Sequence, residues 1–308
     1  MRRALFIAFC AGAIGLSVPA LAQTRDENAA RCKDGTPDLA IGACTALIQG
    51  GQETTEGIAI AFNNRANAYI SKGENDKAIA DLNEALKLSP NYAIAFYNRG
   101  IAYSNKGMTE RAIKDFDASL KIDPKYFGSY INRGSAYDDL GKYDRAIQDY
   151  NQAIALEPDN GMGYNDRGIS YKNLGQFAKA EADFDVAIRL DGSKANRWAN
   201  RCWVRAIQDR LQDALSDCNQ SLKIIPGYGD GLDARGVTNL KLKRLDAALA
   251  DFNAAVKSDG GDATAFYGRG LAKRMKGDAT GADADFGKAM KIDPNIAKRF
   301  DVFGIKSS

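Results

Sequence analysis

The 308-residue sequence contains no histidine. That absence excludes Ser-His-Asp and Cys-His nucleophile pairs, imidazole ligands to zinc and a histidine general base. A surplus of either charge is missing as well, since 42 basic residues face 39 acidic ones. Such a balance leaves no basic stripe for nucleic acid or anionic lipid. No apolar run beyond the first 22 residues is long enough to cross a bilayer. There is no phosphate-cradling glycine loop and no Cys-x-x-Cys pair. No cofactor or metal is implied. What remains is the composition of an ordinary folded chain, 45% hydrophobic and 26% charged.

The N-terminus reads as an export signal. Arg2 and Arg3 precede the apolar run Ala4 to Val18, and Ala20-Leu21-Ala22 has the small-x-small pattern of signal-peptidase cleavage before Gln23. The alternative is an uncleaved anchor, for which the run is short. Phe9 precedes Cys10 where a lipid-attachment site would have a small residue, and the arginine pair only weakly matches a twin-arginine signal. Removing residues 1–22 takes away two arginines and no acid, leaving a net charge of +1. The expected result is a periplasmic or secreted protein without a membrane span.

The rest of the chain repeats. Copies 34 residues long begin at Ala59, Ala93, Phe127, Gly161, Ala195, Gly229 and Ala263 without insertion. The fourth position of each is bulky (Phe62, Phe96, Tyr130, Tyr164, Trp198, Leu232, Phe266). The eighth is small (Ala66, Gly100, Gly134, Gly168, Cys202, Gly236, Gly270), and spacing by four puts both on one face of a first helix. A turn follows, with glycine in five copies (Gly73, Gly107, Gly141, Gly175, Gly277). A second helix then repeats alanine, a larger residue and a small one, as in Ala112, Phe116 and Ser119. Proline or glycine, such as Pro124 or Gly192, ends it.

This pattern of bulky-x2-Arg-Gly-x2-Tyr, then Ala-x3-Phe-x2-Ala, then Pro resembles the tetratricopeptide repeat. The resemblance spans residues 59–296, over three quarters of the chain, with seven copies in one register. It implies an all-α fold, an α-solenoid in which helix-turn-helix hairpins stack into a right-handed superhelix with first helices lining the concave face. Residues 23–58 are then expected to form a degenerate N-terminal helical unit and linker. Residues 297–308 should form a capping helix and tail over the last hairpin, as the end of an array requires.

Two pairings follow from hairpin geometry. The seventh position is always arginine (Arg65, Arg99, Arg133, Arg167, Arg201, Arg235, Arg269). The twenty-third is always aspartate (Asp81, Asp115, Asp149, Asp183, Asp217, Asp251, Asp285). In an antiparallel pair, positions that sum to about 31 lie level, and seven and twenty-three miss this by roughly one 1.5 Å step. An Arg–Asp pair is expected in each unit, or between an aspartate and the next first helix. The alternative is an arginine ladder for an anionic ligand, against which an acid accompanies every arginine. Most of the family has an apolar residue where these arginines sit. Cys202 and Cys218, at the eighth and twenty-fourth positions, also lie level, and in an oxidising compartment they read as a disulfide. Cys32 and Cys44 would tie the N-terminal segment together. A four-cysteine zinc site would need two distant pairs to meet.

By the resemblance, the second, fifth, sixth, ninth, twelfth and thirteenth positions line the groove. The sixth is Asn64, Asn98, Asn132, Asp166 and Asn200 in five successive units. A row of amides can grip the main chain of an extended peptide, or can be only a solvated helix face. Asn63, Asn67, Tyr97, Asn165, Trp203 and Tyr267 surround it, the aromatics as expected anchors. The eleventh-position tyrosine (Tyr69, Tyr103, Tyr137, Tyr171) becomes Arg205, Asn239 and Lys273 in the last three units, through a change of surface or through drift. The expected function is a non-catalytic scaffold or adaptor of the cell envelope, binding a protein or peptide partner in the groove. The alternative is a structural spacer or assembly subunit of an envelope or export complex that works through its outer face.

Overall fold

The computed structural model of the chain describes residues 24–305, so the expected signal at 1–22 lies outside the described residues. Seventeen α-helices and no strand occupy these residues. The chain divides after Pro90 into two compact units.

The first unit holds Arg25–Asp34 (α1), Pro37–Gln49 (α2), Thr55–Ser71 (α3) and Asn75–Leu88 (α4). Helix α1 starts at a capping box, in which the Thr24 hydroxyl accepts from the Glu27 N–H and Glu27 accepts from the Thr24 N–H. Pro37 opens α2, where a missing N–H costs nothing. The Cys32–Cys44 disulfide ties α1 to α2 beneath a small buried cluster. Helices α3 and α4 form hairpin one.

The second unit is an α-solenoid of six hairpins and a short last helix. Hairpin two is Ala93–Asn105 (α5) with Thr109–Ile122 (α6), and hairpin three is Phe127–Asp139 (α7) with Tyr143–Leu156 (α8). Hairpin four is Gly161–Asn173 (α9) with Phe177–Leu190 (α10), and hairpin five is Ala195–Ile207 (α11) with Leu211–Ile224 (α12). Hairpin six is Gly229–Lys241 (α13) with Leu245–Ser258 (α14), and hairpin seven is Ala263–Met275 (α15) with Ala279–Ile292 (α16). Ile296–Asp301 (α17) follows. Within this unit the first helices of successive hairpins touch one another, whereas successive second helices do not. The row of first helices is therefore the inner side of the curve.

The small eighth residue is a volume requirement. A Cβ on Gly134 would stand 2.6 Å from the Tyr150 ring, and one on Gly168 would stand 2.7 Å from Phe184. In hairpins two, three, four, six and seven the ring at position twenty-four fills what the glycine vacates, so the two helices pack closely. Hairpin five solves the same problem differently, by joining Cys202 to Cys218 across that gap. The turn between helices needs a left-handed residue, supplied by Gly107, Gly141, Gly175 and Gly277. In hairpins five and six Asp209 (φ 61°) and Lys243 (φ 57°) adopt that conformation without being glycine.

The end of the chain departs from a simple cap. Helix α17 touches both α15 and α16, and the chain then runs back along the first helices. The Phe300 ring lies 4.8 Å from that of Tyr267, and the Phe303 ring lies 5.2 Å from that of Trp203, two hairpins away. Ile296, Phe300 and Phe303 join the buried core of hairpins six and seven.

Candidate functional site

Seven forked ion pairs hold the hairpins. Each seventh-position arginine donates from Nε and Nη2 to the aspartate sixteen residues later in its own hairpin, as in Arg65–Asp81 (2.7 and 2.7 Å) and Arg167–Asp183 (2.8 and 2.7 Å). Arg99–Asp115, Arg133–Asp149, Arg201–Asp217, Arg235–Asp251 and Arg269–Asp285 repeat the fork. The carboxylate bonds hold the guanidinium groups of Arg65, Arg99 and Arg167 above their ordinary range. Nη1 reaches back to the twenty-fifth position of the preceding hairpin: Arg133 to Asp117, Arg167 to Asn151, Arg201 to Asp185, Arg235 to Asn219 and Arg269 to Asn253. The seventh-position arginine thus links its own hairpin and the preceding one through one side chain. Most of these guanidiniums also stack on the bulky fourth residue, for example Arg201 on Trp198 at 5.0 Å. With both edges and one face used, the arginines offer little to an anionic ligand. The Asx at position twenty-five went unnoticed in the sequence, where Asn83, Asp117, Asn151, Asp185, Asn219 and Asn253 recur.

The amide row is only partly exposed. In the first unit Asn63 is buried and donates to Asn64, which is half-buried, and Asn67 is exposed. In the second unit Asn98 and Asn165 are buried, and Tyr97, Asn132, Asp166 and Asn200 are half-buried. They are cross-linked between hairpins: Asn132 Nδ2 donates to the Tyr97 hydroxyl at 2.9 Å, and Asn200 Nδ2 to Asn165 Oδ1 at 3.1 Å. Asn165 in turn donates to Asp166 at 3.0 Å. Burial pushes the Asp166 carboxyl up to about 6. Below it, Asp138 accepts from the Tyr150 hydroxyl and from Ser170, and burial raises its carboxyl too, against those two bonds.

Tyr267 and Trp203 are not open anchors. Tyr267 is only 6% exposed because Phe300 covers it, and half-buried Trp203 carries Phe303. Beside this segment lies a cavity of about 520 Å³, bounded by Lys172, Asn200, Trp203, Asp233, Arg299 and Phe303 among others. Asp233 is 5% exposed and its Oδ1 has no hydrogen-bond partner. Burial, with the Asp262 carboxyl beside it, pushes Asp233 up to about 9. Burial lowers the Lys172 ammonium, which also borders the cavity.

The last three hairpins also use position eleven differently. In the first four, its tyrosine carries a cation on the ring: Lys77 on Tyr69, Arg111 on Tyr103, Arg145 on Tyr137 and Lys179 on Tyr171, at 5.3 to 5.7 Å. In the others the residue turns to the paired aspartate: Arg205 to Asp217, Asn239 to Asp251 and Lys273 to Asp285, at 2.8 to 3.0 Å. Arg269 and Lys273 hold the Asp285 carboxyl below its usual range although burial opposes them. No group of three or more acidic or cysteine side chains among the described residues could hold a metal. No helix among them is long and apolar enough to cross a membrane.

Models of the tetratricopeptide repeat match residues 66–107, 93–126, 129–160, 149–182 and 234–295. No curated protein matches the chain in sequence. Among solved structures, it is similar to the Cut9–Hcn1 hetero-tetramer of the APC/C, with 18% identity and a TM-score of 0.69 over 91% of this chain. It spans about half of that protein, 54% of its length. A tetratricopeptide repeat protein from Parabacteroides merdae gives 19% identity and a TM-score of 0.65, covering 80% of this chain and 98% of that one. YrrB, a repeat protein described as having an unusual peptide-binding site, gives 24% identity and a TM-score of 0.50, covering 63% and 98%. With its repeats matched by sequence and its hairpins by structure, the chain belongs to the tetratricopeptide repeat family.

Proposed function

We propose that this chain is a non-catalytic adaptor of the cell envelope that binds peptide segments or proteins along its first helices. Its export rests on the signal pattern at residues 1–22 and is supported by two disulfides, which persist in oxidising compartments. The observation that carries the binding reading is the linked polar row of hairpins two to five. Asn132 and Asn200 each spend one amide hydrogen on the neighbouring hairpin, which fixes the side chain. Each keeps a carbonyl oxygen with which to accept from a peptide N–H. A fixed acceptor loses little entropy on binding, so it grips a main chain without demanding a particular side chain. YrrB, similar in fold, is described as binding peptide, which agrees with this use of the inner face.

The test is capture of partners from periplasmic extract by wild type and by Asn132→Ala/Asn200→Ala. Loss of the captured partners supports inner-face binding. Unchanged capture contradicts it and favours an assembly role through the second helices.

A further inference from the structure

The end of the chain packs on its own inner face. Residues 296–303 bring two aromatic rings three positions apart, Phe300 and Phe303, onto Tyr267 and Trp203. A six-residue helix is too short to be stable by itself, so this segment is held by what it covers. No side chain caps its N-terminus, and Arg299 pairs with half-buried Asp293, six residues earlier and before the helix begins.

The fit is also incomplete. A cavity of about 520 Å³ stays open beside the segment. Asp233, nineteen-twentieths buried on its wall, has an oxygen without a partner. Burying such an oxygen unpaired costs about 1–3 kcal/mol. Arg299 borders the same cavity, yet its hydrogen bond goes to Asp293 instead. A segment that kept the two rings and carried a cationic side chain reaching Asp233 would satisfy this oxygen and fill the space.

We propose that the inner face of hairpins five to seven is a docking site for short helical segments with aromatic residues at i and i+3 and a Lys or Arg beside the first, and that residues 296–303 are its resident, displaceable occupant. This rests on reading the inner face as a peptide-binding surface and names the class of peptide for its C-terminal half. The resident segment, tethered at an effective concentration of about millimolar, competes with any incoming one. Partners that bind here must therefore outcompete it, and the better ones do so through Asp233.

The experiment uses the full chain and a fluorescent synthetic peptide of residues 294–304, which lacks Asp293 and so frees its arginine for Asp233. In wild type the peptide should bind about tenfold more weakly than to Phe300→Ala/Phe303→Ala, whose resident segment has lost its rings. Phe303→Ala alone, which strips only the ring on Trp203, should fall between them. In the opened double variant, Asp233→Asn should weaken the peptide but leave one lacking its arginine unaffected. Circular dichroism confirms that the helices persist in each variant. No binding to the folded opened variant, or equal binding to it and to wild type, overturns the proposal. Because Asn132 lies in hairpin three and does not line this cavity, partner capture that still depends on Asn132 alone would leave the wider adaptor reading standing.

Discussion

Hairpins two to four and hairpins five to seven share one backbone and differ in what their inner faces do. In the first group a tyrosine at position eleven carries a cation on its ring, and polar side chains such as Asn132 and Tyr97 link neighbouring units. In the second, Arg205, Asn239 and Lys273 turn down onto the paired aspartates, and aromatic residues of the chain's own end cover Trp203 and Tyr267. What is common to both is the Arg–Asp fork. The ring on glycine at positions twenty-four and eight is common to all these hairpins but the fifth. The difference teaches that the repeat fixes its geometry with a few positions and leaves the inner-face positions free to specialise.

The largest test of that contrast removes an aspartate from each group. Asp149 receives one arginine, whereas Asp217 receives both Arg201 and Arg205. Breaking these half-buried forks costs about 3 kcal/mol for Asp149→Ala and about 5 kcal/mol for Asp217→Ala, read from urea unfolding. Equal losses would break the distinction. Next, Cys202→Ala/Cys218→Ala should lose about 3 kcal/mol on the loop-entropy model, and the same measurement in wild type with reductant should match it. No loss would mean that packing alone holds hairpin five.

A pH series sharpens the same comparison. Asp233 titrates near 9 in the folded chain and about 3.9 when unfolded, so its burial favours the folded state only while it is protonated. That stability is present below about pH 4 and is lost as pH rises toward about 9. Asp233→Asn should therefore gain on wild type progressively across this window, with a slope of up to about 1.4 kcal/mol per pH unit. A constant gap between the two would contradict the burial. The smallest effect belongs to the turns. Lys243→Gly should raise stability by about 1 kcal/mol, because Lys243 holds a left-handed backbone, while Gly141→Ala should lower it by about as much. Differential scanning calorimetry would detect either change.

The helices were legible in the sequence because position eight, position twenty-four and the turn residue are local volume and dihedral requirements. Gly134 must be small where Tyr150 lies, and that shows as a repeat. The level of Arg133 with Asp149 follows from helical rise alone. Contacts between hairpins were harder to read, since Arg133 reaching Asp117 depends on how one unit stacks on the next. Least legible was the path of residues 296–303. Nothing in the period says that Phe303 returns to Trp203, because that contact lies outside the repeat. For the same reason Tyr267 looked like an open anchor and is instead covered.

The most direct measurement places a photo-crosslinking residue on each face of hairpin three in the full chain. Ser135 is exposed on first helix α7, and Gln148 is exposed on second helix α8. Partner adducts at Ser135, with none at Gln148, are the expected result. Adducts at Gln148 alone would contradict binding along the first helices.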